Sequence, residues 1–293
     1  MPAQSGPSGN PRKLFVVIKA VIIGLLIALI PANIWPIFLF KLPVLVAAIA
    51  EIIFLSLYIV WASGGGPPRK MQAARAAAFR TGKLTGQQWI WGLTAAVFFA
   101  VTVHSSITLL FRFVPYPVAA FRHGYDLSFI PTTFLKWVAI VLSAASAGIC
   151  EETGFRGYMQ RPIEERQGVF TAVAISSVLF TAVHLSKTWA SPAMVPIVLG
   201  AGVLLGLIAW SANSLVPVMI GHTIMDIGLF AYWWSGVAGT FAVPPVSETG
   251  IDQVFVIAGG LFAVSLSIVL LAIWKLRQNA PAANLARAKA VNG

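Results

Sequence analysis

Charge is what this chain has least of. Asp and Glu number nine and Lys and Arg 20 among 293 residues, so 10% of positions are charged while 58% are hydrophobic. With a mean hydropathy of +0.84, an ordinary water-soluble domain is excluded. The single cysteine, Cys150, excludes an internal disulfide and any cysteine-cluster zinc site. The HExxH signature of many zinc proteases is missing, as is the GxxxxGK[ST] phosphate loop, and no internal repeat or second domain is evident. A net charge of +11 does not signal nucleic acid, because the basic residues lie between apolar runs and not in one solvated patch.

What is present is a series of apolar runs. Eight are long enough, or nearly so, to cross about 30 Å of hydrocarbon. They cover 14–34, 42–62, 89–111, 133–156, 169–186, 194–211, 215–235 and 253–274. The fold class that follows is all-α, a polytopic membrane helix bundle of about eight transmembrane helices. The first run lacks a small-residue cleavage site and reads as a retained span.

Arg12, Lys13, Lys19, Arg69, Lys70, Arg75, Arg80, Lys83, Arg156, Arg161, Arg166, Lys275, Arg277, Arg287 and Lys289 fall on one side. That asymmetry predicts cytoplasmic N and C termini. The chain divides into a tail at 1–13, one membrane domain over 14–274 and a basic cytoplasmic tail at 275–293 that reads as disordered. The reading is an integral multi-pass membrane protein with the lipid bilayer as its constant partner. An Ala- and Gly-rich composition suggests a bacterial cytoplasmic membrane.

Several stretches read as scaffold. Residues 63–88, opening on GGGPP, form a basic lipid-surface connection. Gly202 and Gly206 are four apart, a helix-packing device. Trp91, Trp137, Trp210, Trp233 and Trp234 read as interfacial aromatics. Glu51 and His104 read as interhelical partners, Cys150 as packing, and Glu164 and Glu165 as a solvated turn with Arg161 and Arg166.

The remaining polar residues inside apolar sequence fall in three places. GICEETGFRGYMQ carries Glu151, Glu152 and Arg156, AVAISSVLFTAVHL carries Phe180 and His184, and LVPVMIGHTIMDIG carries His222 and Asp226. Glu152 and Arg156, Phe180 and His184, and His222 and Asp226 are each four apart, so each pair shares a helix face. Any one pair reads as an ordinary packing contact or ion pair. Three neighbouring helices carrying such costly groups point to a site. A carboxylate and an imidazole around one water can act as general base, and a second imidazole with a polar neighbour can stabilise an oxyanion. These residues suffice to hydrolyse a peptide bond.

The motifs EETGFRGYMQ, SSVLFTAVHL and HTIMD resemble those of the CPBP family of intramembrane proteases. That family includes the type 2 CAAX prenyl proteases and bacterial proteins linked to bacteriocin processing and self-immunity. Its EExxxR, FxxxH and HxxxN or HxxxD patterns are complete here and in order, with the resemblance covering about 130–235. It implies an intramembrane endopeptidase acting on a membrane-associated or leader-type peptide or protein. Glu151 would act with His184 on the water, and His222 with residue 226 would form the oxyanion site. Glu152 and Arg156 would organise the first motif, and Phe180 would pack beside His184. The departure is Asp226, where the eukaryotic members have asparagine; an ionised aspartate donates no hydrogen bond. It is either protonated, or it orients His222, or it is a metal ligand.

No cofactor is favoured. The alternative is zinc or another divalent metal on Glu151, His184, His222 and Asp226. A non-proteolytic membrane protein binding a peptide or partner in the same pocket is the second reading, and a transporter the third. One depth argument strains the first reading. At ~1.5 Å per residue, Glu151 falls near the cytoplasmic border and His184 beyond mid-membrane. They meet only if the fourth helix continues past Arg156 below the lipid boundary or the fifth begins in the cytoplasm; the expectation is that both extend beyond the bilayer and enclose a water-filled cavity open to the cytoplasm.

Overall fold

Inside lipid every backbone polar group needs an internal partner, which leaves helices to this sequence. A computed structural model describes residues 11–188 and 191–279. Its elements are α1 (Pro11–Ala32), α2 (Ile34–Lys41), α3 (Val44–Ala62), α4 (Gln72–Ala78), α5 (Gly86–Leu110), α6 (Val118–Gly124) and α7 (Thr133–Glu152). They continue as α8 (Gln160–Gln167), α9 (Val169–Thr188), α10 (Val195–Ala212), α11 (Val216–Gly228), α12 (Val246–Thr249) and α13 (Gln253–Gln278). A π-helical stretch, Thr153–Met159, carries α7 into α8, and another, Leu229–Trp234, extends α11. No strand occurs among the described residues. The segment read as a disordered tail, from 280 onward with Arg287 and Lys289, and residues 1–10 lie outside the described residues.

Seven helical stretches are long and apolar enough to cross a membrane, and an eighth, Val169–His184, is apolar but shorter. This is the polytopic bundle that the apolar runs predict. Its outer surface is hydrocarbon: Phe15, Ile22 and Ile30 on α1, Ile53 and Leu57 on α3, and Val256 and Val264 on α13 are exposed. Such a continuous apolar surface suits acyl chains and not water.

The fourth span is longer than the run 133–156. The helix continues to Gln167, 35 residues from Thr133, because the polar side chains past Arg156 are satisfied by neighbouring helices. Gly168, at φ 84°, then reverses the chain directly into α9. Few residues but glycine adopt that backbone without strain. From Glu151 to Gln167 is ~24 Å and from Val169 back to His184 ~22 Å, so the two side chains arrive at one level. The extension that the depth argument required is therefore present.

Small residues set the closest crossing. α1 packs on the π stretch with Gly24 and Ala28 facing Gly154. A β-carbon at Gly154 would collide with the Gly24 carbonyl and with Ala28. Gly154→Val is expected to cost about 3 kcal/mol by overpacking, read as a lower thermal midpoint in detergent. Gly260→Val, where a β-carbon meets nothing within 4 Å, is expected to leave the midpoint unchanged.

Not all of the basic residues in the 63–88 connection are surface charge: Arg75 and Arg80 are buried, while Arg69, Lys70 and Lys83 are exposed. The Arg75 side chain is buried, donating to the carbonyls of Trp61, Gly65, Gly66 and Pro68 at 2.8–3.1 Å. The GGGPP turn exposes carbonyls without helical donors, and one guanidinium gathers them.

At the opposite end, Phe111, Tyr116, Phe121, Trp233 and Phe241 form an aromatic cluster. Trp233 is buried there and its indole donates to His104 Nδ1 at 3.1 Å; it packs the core and is not an interfacial anchor. The fully buried Arg112 ties α5 to the start of α13, with Nη1 on both Asp252 carboxylate oxygens at 2.7 and 2.8 Å and Nη2 on Thr249. Hydrogen bonds from Arg112 and from the Phe255 amide hold the Asp252 carboxyl below the usual carboxylate range. A depressed native value contributes stability above the unfolded value, lost as pH falls through the native one. The stability advantage of wild type over Asp252→Asn is thus expected in full at neutral pH, should begin to fall near pH 4, the unfolded value, and should vanish only below the lower native value, in thermal melts across a pH series.

Candidate active site

The three motif helices converge at one level of the bundle. α7 lies against α11, α9 packs on α10 and on the π stretch, and Glu151, Phe180, His184, His222 and Asp226 all line one cavity of about 60 Å³. That is room for about two waters.

Glu152 and Arg156 are completely buried. Glu152 Oε1 accepts from Arg156 Nη1 at 2.8 Å and also from His222 Nδ1 at 2.7 Å. Glu152 therefore joins the first motif to the third, beyond pairing with its own arginine. Asp226 Oδ2 lies 3.5 Å from His222 Nε2, one turn along α11. His222 thus has a carboxylate oxygen at each ring nitrogen. Of the roles open to Asp226, the contact fits orientation of His222.

His184 is fixed differently. Its Nδ1 lies 2.8 Å from the Phe180 carbonyl, which can only accept, so that nitrogen carries the proton. The lone pair is then on Nε2, which lies 3.6 Å from Glu151 Oε2. That separation is too long for a direct hydrogen bond and short enough for one water to touch both groups.

Phe180 is the common wall. Its ring centroid is 4.3 Å from the His184 ring, 5.9 Å from His222 and 5.3 Å from Phe155, and the Arg156 guanidinium stacks over it at 4.3 Å. One aromatic side chain therefore touches all three motifs. All seven residues predicted for the site come together.

Sequence reasoning missed several supports. Gly202 and Gly206 do pack α10 against α9, as their spacing predicts, with β-carbons there meeting Ser177 and Val173. They also leave their carbonyls within reach of Arg156 Nη2 at 3.2 Å and Gln160 Nε2 at 2.9 Å. Glu164 is buried, not in a solvated turn: it accepts from Gln160 at 2.7 Å and from Arg80 at 2.6 Å. Only its neighbours Arg161 and Glu165 form a partly exposed pair. The four-residue recurrence of Glu152, Arg156, Gln160 and Glu164 was the available signal. His104 is the interhelical partner expected, with Nε2 3.0 Å from the Met225 carbonyl beside Asp226.

Beyond the motif residues the cavity is lined by Phe121, Met194, Phe230 and Trp234, which belong to the aromatic end of the bundle. Val103, Ile197 and Ala201 line it too, and on their other side they line a larger apolar groove of about 560 Å³ among α5, α10 and α13.

Both nitrogens of His222 face carboxylates and Glu152 is committed to Arg156. Among the described residues no group of three or more His, Cys, Asp or Glu is arranged to hold one.

A many-spanning helical membrane protein with a buried glutamate–histidine site is the class that this fold and geometry define. Residues 131–228, about a third of the chain, match the family model described as type II CAAX prenyl endopeptidase Rce1-like. The match bears out the resemblance carried by the three motifs: the region 131–228 is similar to that endopeptidase family. No curated protein and no solved structure matched the chain.

Proposed function

We propose that the protein is a metal-free intramembrane endopeptidase in which Glu151 and His184 activate a water. The observation that carries this is His184: its Nδ1 is tied to the Phe180 carbonyl, so Nε2 keeps its lone pair, 3.6 Å from Glu151 on the wall of a small cavity where one water can touch both groups. A water donating to both groups turns its own lone pair outward, toward a scissile carbonyl. As its oxygen bonds to the carbonyl carbon, its proton passes to the Glu151–His184 pair. His222, protonated on both nitrogens between Glu152 and Asp226, donates from Nε2 to the developing oxyanion. Asp226 needs no proton of its own in this scheme. When the C–N bond breaks, the stored proton goes to the leaving amine, so the water is divided between a new carboxylate and a new amino terminus.

The apolar groove beyond Val103, Ile197 and Ala201 supports a membrane-held peptide or protein as substrate. The basic connection and both chain ends face the cytoplasm in this reading, by the charge asymmetry. The test is cleavage of membrane-anchored quenched peptides by the purified protein, with and without a chelator. Cleavage that resists EDTA and o-phenanthroline is expected; loss on chelation with recovery on added zinc would overturn the metal-free mechanism.

A further inference from the structure

Arg80 lies far from the three motifs in sequence, and nothing in its surroundings there marks it. Its side chain is nevertheless fully buried against the first motif. Nε donates to the Arg156 carbonyl at 3.1 Å, within the π stretch, and Nη2 pairs with Glu164 at 2.6 Å. Its backbone sits at φ 55°, the left-handed region that glycine favours. A non-glycine residue persists there when its surroundings hold it. Neighbouring positions dock nearby: a β-carbon at Gly157 in the π stretch would meet the Ala78 carbonyl, and one at Gly82 would meet the carbonyl of Asn213 at the end of α10, whose side chain accepts from Arg161 on α8.

We infer that Arg80 is a positioning residue for the glutamate motif, acting through Arg156. Arg156 is held at both ends. Its guanidinium is fixed to Glu152 and to the Gly202 carbonyl, and its own carbonyl is fixed to Arg80. The Glu164 arm continues through Gln160 to the Gly206 carbonyl. The turn that directs Glu152 toward His222 is thereby clamped between α10 and the connection before α5. That connection becomes part of the site's framework, although it lies outside the family match. The inference rests on the proteolytic reading for its effect on rate, but not for its effect on the turn.

The experiment compares wild type with Arg80→Gly/Glu164→Gln in reconstituted full-length protein. Glycine suits the backbone at 80, and glutamine removes the charge that arginine's loss would strand. Hydrogen exchange of amides 153–160 is expected to quicken about tenfold while exchange in α13 is unchanged. With a membrane-anchored quenched peptide, kcat is expected to fall about 10²-fold at unchanged KM. The charge swap Arg80→Glu/Glu164→Arg, which restores the pair but not the bond to the Arg156 carbonyl, is expected to remain slow. Wild-type exchange and wild-type kcat in the glycine variant would overturn the inference. If instead wild type cleaved no peptide, the proteolytic reading would fail, and if Glu151→Gln cleaved as fast as wild type, its Glu151 mechanism would fail; in both cases the exchange result would still decide the role of Arg80.

Discussion

Glu151→Gln and His184→Ala should each lower the rate of peptide cleavage by about 10³-fold, within the range for loss of a positioned general base. The two groups lie 3.6 Å apart on the wall of one cavity, close enough for a single water to touch both, so in this account they act on the same proton. Their losses should therefore not add: the double variant is expected to be no slower than the worse single one. Glutamine keeps the shape and polarity of Glu151 and removes only the basicity. Its variant is expected to bind substrate with unchanged KM, so the effect should appear in kcat. Strictly additive losses would place the two residues in separate steps, and single-turnover cleavage measures this directly.

The second large effect concerns stability. Arg156 and Glu152 are an ion pair with neither side chain exposed. Arg156→Met leaves Glu152 buried, and Glu152→Leu leaves a buried guanidinium without its counter-charge. Either change is expected to cost about 3–5 kcal/mol. Removing both charges together replaces a buried pair by apolar volume, which is often neutral for folding. Glu152→Leu/Arg156→Met is thus expected to recover most of the thermal midpoint. It should remain inactive, because His222 Nδ1 has lost the carboxylate 2.7 Å away that orients it. A double variant that folds and cleaves like wild type would remove Glu152 from the orientation of His222.

The parts of the molecule that could be read from the chain are those written locally. Apolar runs give spans because the bilayer leaves no other solution, and a four-residue spacing puts Phe180 with His184 and His222 with Asp226 on shared faces. Even the continuation of the fourth span past Arg156 to Gln167 followed from a rise per residue. Contacts between helices were not written locally. That Glu152 would serve His222 as well as Arg156, or that Phe180 would touch all three motifs, depends on how three helices rotate against one another. Trp233 sits at a helix end as an interfacial aromatic does, and only the His104 ring beside it makes it core. Arg75 and Arg80 looked like surface charge because the carbonyls and carboxylate that bury them come from turns and from a distant helix. The cavity's lining runs toward the aromatic end, while the basic connection packs on the π stretch.

The most direct measurement is cleavage in H₂¹⁸O. The reconstituted protein is incubated with membrane-anchored peptides, and the products are weighed by mass spectrometry. Wild type is expected to yield new C-terminal carboxylates carrying ¹⁸O from a water activated at Glu151 and His184, and Glu151→Gln is expected to yield none above background. New termini formed equally by the Glu151→Gln variant, or none formed by wild type from any peptide, would contradict the account.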